Sequence, residues 1–183
     1  MSIKSTFRKI TPSILNLVLP LFMYLVYKTL QKPDDFTFYS FLFFFYFFLI
    51  MAIMNIIIDF VTKIHNINQS KPKYYIILEV IKFIVLSSFL FSTYYWIIHD
   101  YNNKNFLNVI TGNNFEIFLD FYFYSITSFI MNNSSEIKPN TLLAKGFVLT
   151  QIIASFSTIV LFLAQYKEFG NIFKQIEDKI NNK

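Results

Sequence analysis

Between Asp35 and Asp59 the chain carries no charged side chain, and the block from Phe41 to Phe48 contains only aromatic residues and Leu42. A helix over that run, at about 1.5 Å per residue, is longer than the ~30 Å hydrocarbon core of a bilayer. Nothing elsewhere offsets it, because only 15% of the residues are charged, against roughly a quarter in ordinary soluble domains. Twenty-five Phe and twelve Tyr are more than one core hides. The chain therefore reads as an all-α integral membrane protein.

The charge-free run belongs to a predicted span over residues 36–61, and further spans are predicted at 14–30, 74–98 and 142–164. The first follows a helix-start signal at Thr11 and Pro12 and contains Pro20, which predicts a kink. The third has Tyr74 and Tyr75 at one end and Tyr94, Tyr95 and Trp96 at the other, the placing by which rings mark two membrane interfaces. Residues 115–131 are apolar but short, hold Glu116 and Asp120, and run into the polar stretch 132–138. A carboxylate at the centre of a lipid-exposed helix costs about 2.5–3.5 kcal/mol. The pattern predicts four transmembrane helices plus a re-entrant helix, enclosed by protein, between the third and fourth.

Basic residues set the orientation. With this topology one face holds Lys4, Arg8, Lys9, Lys63, Lys71, Lys73, Lys167, Lys174, Lys179 and Lys183; the other holds Lys28, Lys32, Lys104, Lys138 and Lys145. The excess places both termini in the cytoplasm of a multi-pass protein of the plasma (inner) membrane. The first run is too long for a cleaved signal peptide and lacks a small-residue cleavage site, so it reads as an anchored span. Three regions result: a two-span region over 1–73, a module over 74–166, and an amphipathic tail over 167–183.

From Glu116 to Ala164 the string EIFLDFYFYSITSFIMNNSSEIKPNTLLAKGFVLTQIIASFSTIVLFLA resembles the pore module of the potassium-channel superfamily. Phe118, Leu119, Asp120, Tyr124, Ser125, Ile126 and Thr127 match its pore helix without a gap. Glu136 stands where the acid follows the filter, Pro139 on its proline, Lys145 on the Arg opening the inner helix, and Gln151 on its Gln. The resemblance implies an outer helix from the third span, a re-entrant pore helix, an inner helix from the last span, and a homo-tetramer about that helix. The departure is central: Met131, Asn132, Asn133, Ser134 and Ser135 replace Thr-Val-Gly-Tyr-Gly. A filter of stacked carbonyls needs left-handed backbone that glycine adopts freely, Asn tolerates and Ser resists. Potassium selectivity is therefore not expected, and Ser155 stands near the position of the hinge glycine.

Two readings stand for residues 131–135, a polar constriction that leaves ions partly hydrated, or an ordinary polar loop at a helix end. Gln151 and Ser155, four apart on one face of the last span, are the expected pore-lining polar residues, with Ile159 below them in an apolar stretch suited to gating by dewetting. Glu136 is expected at the outer mouth, free or paired with Lys138 or Lys145, and Asp120 as support for the pore helix. Glu79 and Lys82, three apart inside the third span, are expected to pair. Asp34 and Asp35 are expected to cap the second span.

Enzyme chemistry finds no basis. His65 and His99 are the only imidazoles and fall on opposite sides of the membrane, Cys is absent, and Gly112, Gly146 and Gly170 are isolated, so no metal site, cofactor cradle or catalytic group is expected. The net charge of +5 is what the orientation rule produces and does not indicate nucleic-acid binding. Phe169, Ile172, Phe173, Ile176 and Ile180 form an apolar stripe that suits the inner leaflet, the same helix of other copies, or a cytoplasmic regulatory protein. The expected function is an oligomeric membrane pore of weak ion selectivity. The alternative is a non-conducting scaffold or regulatory subunit, including a membrane effector of a bacterial antiviral system.

Overall fold

The computed structural model describes residues 12–30, 33–70, 74–130, 132 and 134–181. Its helices are α1 (Pro12–Thr29), α2 (Asp35–Ser70), α3 (Tyr74–Tyr101), α4 (Asn114–Phe129) and α5 (Leu142–Asn181). A 3-10 turn (Asn103–Asn105) and two short strands, β1 (Phe106–Leu107) and β2 (Lys138–Pro139), lie between the end of α3 and the start of α5. Three stretches are long and apolar enough to cross a membrane: Asp35–Ile64, Leu78–Tyr101 and Leu142–Leu161. The described apolar part of α1, Val18–Thr29, is shorter than a span. The chain is thus a mostly helical membrane protein in which three helices, not four, meet the length among the described residues.

Local chemistry sets the helix ends. Asp34 caps α2 by accepting hydrogen bonds from the backbone N–H and the hydroxyl of Thr37, while its own carbonyl takes Phe38 N–H at 2.9 Å. Asp35, the first residue of α2, accepts a hydrogen bond from Tyr101 Oη and so ties that end to α3. Pro20 lies inside α1 without ending it. Helix α5 continues unbroken across residues 166 and 167 to Asn181, about 60 Å at 1.5 Å per residue, twice the depth of the hydrocarbon core.

Helix α3 is the hub, packed against α1, α2, α4 and α5. Every residue from Leu90 to Ile98 is buried. This corrects the reading of Tyr94, Tyr95 and Trp96 as interface rings, for they are 0%, 0% and 3% exposed. Tyr94 Oη donates to Phe45 O of α2 at 2.6 Å, and Trp96 sits against Tyr24 and Tyr27 of α1 with ring centroids 5.2 and 6.2 Å away. Their amphipathic rings are used within the bundle, where each polar tip needs a protein partner. Helix α2 shows the converse, with Phe38, Phe45 and Leu49 turned inward and Phe36, Phe43 and Phe47 left open on the outer surface. That surface suits lipid, which is as apolar as the core.

Asn105 fastens the end of α3 to the start of α5. Its Nδ2 donates to Ile98 O at 2.8 Å, a carbonyl of the last turn of α3 that also accepts from Asn102 N. Its Oδ1 accepts from Thr141 Oγ1 at 2.6 Å, and its backbone carbonyl accepts from Asn140 N at 2.8 Å. Thr141 in turn caps α5, accepting from Ala144 N through Oγ1 and from Lys145 N through its carbonyl. The clamp fixes where α4 begins and where the chain must return.

Candidate functional site

Helix α4 starts with a reciprocal cap. Asn113 Oδ1 accepts from Phe115 N and Glu116 N, both at 3.0 Å, and Glu116 Oε2 accepts from Asn113 N at 3.1 Å. Asp120 Oδ2 accepts from Ile110 N at 3.1 Å and so holds the loop that leads into the helix. The two carboxylates that weigh against burying this segment therefore occupy its first two turns, where each has a backbone partner. From Phe121 to Phe129 the helix is free of charge.

The helix is 16 residues, about 24 Å, and then the chain turns back. Ile130 N donates to Ile126 O at 3.1 Å and Asn132 N to Thr127 O at 2.7 Å, a six-to-one closure typical of helix ends. The return passes Ile137, which is buried, into β2, which pairs antiparallel with β1 in the register Phe106↔Pro139 and Leu107↔Lys138. Asn108 stitches this return: it is the one non-glycine residue with positive φ among those described, at 59°, and its Nδ2 donates to Glu136 O at 3.1 Å. Since β1 follows closely on α3, segment 114–137 leaves and regains the same end of the molecule.

Deep in this hairpin α4 is fastened to α5. Gln151 Nε2 donates to Ser125 O at 2.6 Å, while its Oε1 accepts from Tyr95 Oη at 2.5 Å and from Ser125 Oγ at 3.3 Å. One turn further, Ser155 Oγ donates to Phe129 O. Both helices advance four residues between these rungs, so α4 and α5 run in the same direction here. Tyr95, Ser125, Gln151 and Ser155 are all wholly buried. In an apolar interior a side-chain amide must find partners, and this network satisfies both its oxygen and its nitrogen.

Gln151 and Ser155 thus share a face, as their spacing predicts, but that face is turned into the chain and not toward an open conduit. The open face of α5 carries Leu149, Ile152, Phe156, Ile159 and Leu163. Ile159 is on it, 38% exposed. Of the expected constriction, Asn132 and Ser134 are exposed and Ser135 half-buried, whereas Met131 and Asn133 lie outside the described residues. None of the described three has the left-handed backbone of a glycine filter. Glu136 is exposed, and among the described residues no lysine comes within ion-pairing distance of it.

At the opposite end of α3, Lys82 Nζ lies 3.9 Å from Glu79 Oε2. A second pair faces it from α2, Lys63 Nζ to Asp59 Oδ2 at 2.5 Å, and the rings of Phe60 and Phe83, tilted at 44° with centroids 5.0 Å apart, join the two helices between them. Sequence reasoning missed Tyr95, Asn105, Thr141 and the Asp59–Lys63 pair. The i,i+4 spacing of Asp59 and Lys63 was the one usable signal. His99 stands edge-on to Phe121 at 5.4 Å, and among the described residues no three His, Asp or Glu converge to hold a metal ion. The stripe on the tail from Phe169 to Ile180 lies on described helix, its side chains outside the described residues. Comparison with protein-family models, curated proteins and solved structures returns no match.

Proposed function

We propose that this chain forms a weakly selective ion-conducting pore, with α4 as a re-entrant pore helix and several copies, four by the resemblance, arranged about α5. The observation that carries the reading is the return of segment 114–137 to the end it left, with α4 latched alongside α5. A helix of about 24 Å enclosed on one side by α3 and α5, followed by an extended return, is the form in which irregular backbone is tolerated at membrane depth. On this reading α1 is the fourth span, both termini are cytoplasmic, and the tail of α5 offers a face to a regulatory partner.

The wall of the pore is then divided. Asn132, Ser134 and Glu136 supply amide, hydroxyl and carboxylate groups to a hydrated outer mouth that attracts cations. Gln151 and Ser155 hold the pore helix from behind. Below them the apolar residues Phe156, Ile159 and Leu163 line a stretch able to close by dewetting. Potassium-type selectivity is not part of the proposal, because a stack of dehydrating carbonyls has no backbone to form it.

Purified protein in a planar bilayer tests this. Step-like currents with a modest preference for cations are expected, and Glu136→Gln should shift the reversal potential toward zero in a salt gradient. Silent membranes under every cytoplasmic addition, from protein that assembles normally, would overturn it. The apolar open face of α5 between Leu149 and Leu163 favours one rival, a non-conducting scaffold whose α5 faces lipid or another helix there, and silent membranes are what that rival requires.

A further inference from the structure

On the flank of α3 that does not face α5, a groove of about 380 Å³ opens between α1 and α4. Leu21 and Tyr24 of α1, Phe89 and Trp96 of α3, and Phe115 and Phe118 of α4 form its walls. The hydroxyl of Thr93, which also reaches it, is used by its own helix, donating to Phe89 O at 3.0 Å. Apart from Asn114 at the start of α4, the surface is therefore mainly apolar, and its size falls within the ~300–1,000 Å³ range of clefts that take an organic ligand. Between Phe89 and Trp96 the groove runs about 10 Å along α3, its upper edge about 8 Å below the end of that helix. In a bilayer this is the depth of the upper acyl chain and glycerol, and the medium there is lipid.

The rim is polar and balanced. Lys28, one turn beyond Tyr24 on α1, holds its ammonium 4.9 Å from the centre of the Trp96 ring and 3.7 Å from Asp100 Oδ2. The two form an ion pair longer than a hydrogen bond, so each keeps hydrogen-bonding capacity for a further partner. The side chains are 40% and 34% exposed. A cation and an anion side by side above an apolar slot complement a headgroup that itself carries both charges.

We propose that this groove binds a phospholipid of the ethanolamine type, one acyl chain in the slot, its phosphate on Lys28 and its ammonium toward Asp100. Such a lipid joins α1 to α4, which otherwise meet mainly through α3. The site is formed within one chain and does not depend on whether the protein conducts.

Trp96 is the only tryptophan in the chain and lines the slot, so its fluorescence reports occupancy directly. The intact protein is reconstituted into bilayers doped with brominated ethanolamine lipid, and quenching is compared with that expected from random mixing around the protein. Quenching well above random mixing at low dopant is expected. It should fall at least about twofold in Lys28→Ala and in Leu21→Phe, which narrows the slot from an exposed position. Leu25→Phe, also exposed but outside the slot, should leave it unchanged and controls for folding. Quenching at the random-mixing level in the wild type, equal quenching in Leu21→Phe, or equal or stronger quenching by brominated glycerol-headgroup lipid would overturn the assignment. So would loss of quenching on oligomer assembly, which would make a second copy the occupant.

Discussion

Gln151 of α5 reaches Ser125 of α4 at 2.6 Å through its amide nitrogen, while the same side chain accepts a hydrogen bond from Tyr95 of α3. Three helices thus meet at one buried amide. Lipid offers no water to replace these bonds, so the short helix α4 has its depth and rotation set by a residue on a different helix. Ser155, a turn further along, repeats the arrangement at the last carbonyl of α4.

Replacing Gln151 with Leu keeps the volume, strands the hydroxyl of Tyr95 and removes the second hydrogen bond of the Ser125 carbonyl, which keeps its own helix partner. A loss of about 1–3 kcal/mol in unfolding free energy is expected, read by denaturant titration in detergent with helix content as the signal. Tyr95→Phe alone should cost less, because Gln151 Oε1 keeps Ser125 Oγ as a donor. The double variant should lose less than the sum of the two, since both act on one network.

Asn105→Ala removes the clamp between α3 and α5: Ile98 O keeps only Asn102 N, and the Thr141 hydroxyl, which still accepts from Ala144 N, loses the acceptor for its proton. Asn105 is 5% exposed, so water does not simply take its place. A cost of about 1–3 kcal/mol is expected. Limited proteolysis between Asn102 and Gly112 should quicken before any other site, and Thr141→Val should show a weaker form of the same effect.

The hydrogen bond from the Thr37 hydroxyl, with that from Thr37 N–H, holds the Asp34 carboxyl below its ordinary value. A depressed pKa in the folded state means that the charged cap stabilises the start of α2 above the unfolded value of about 3.9. That contribution fades as pH falls through the lower folded value. Protection from hydrogen exchange at Thr37 and Phe38, taken relative to the intrinsic rate at each pH, should fall across that window in the wild type. Asp34→Asn, which caps without titrating, should show no such step.

On the pore reading, Ile159→Ser wets the open face of α5. Leak current in the unstimulated protein should rise several-fold, whereas Ile58→Ser on the exposed outer face of α2 should leave it unchanged. A closed Ile159→Ser variant would place that face against lipid and remove Phe156, Ile159 and Leu163 from the conduit.

The rising apolar content along residues 36–61 and 142–164 was legible because a bilayer imposes length and the absence of charge, and both are countable in a sequence. Glu79 with Lys82 was legible because helical spacing alone brings residues three apart together. The short first helix was harder, since Val18–Thr29 falls below the length of a span where it is described. Glu116 and Asp120 were legible only as a penalty in a hydropathy sum; that each accepts a backbone N–H at or near the start of α4 was not.

The sequence by itself determined that this is a helical membrane protein, where its long helices run, and that a glycine-type filter has no material to form. Only the tertiary structure decided which way the helices face. In water, periodicity separates inside from outside because the two solvents differ. In a membrane the outer surface is as apolar as the core, so Phe43 and Phe45 look alike in sequence while one faces out and the other in. Orientation was settled instead by the few polar groups that had to find partners. Tyr95, Ser125, Gln151 and Ser155 found theirs in one another, and that drew their face of α5 inward.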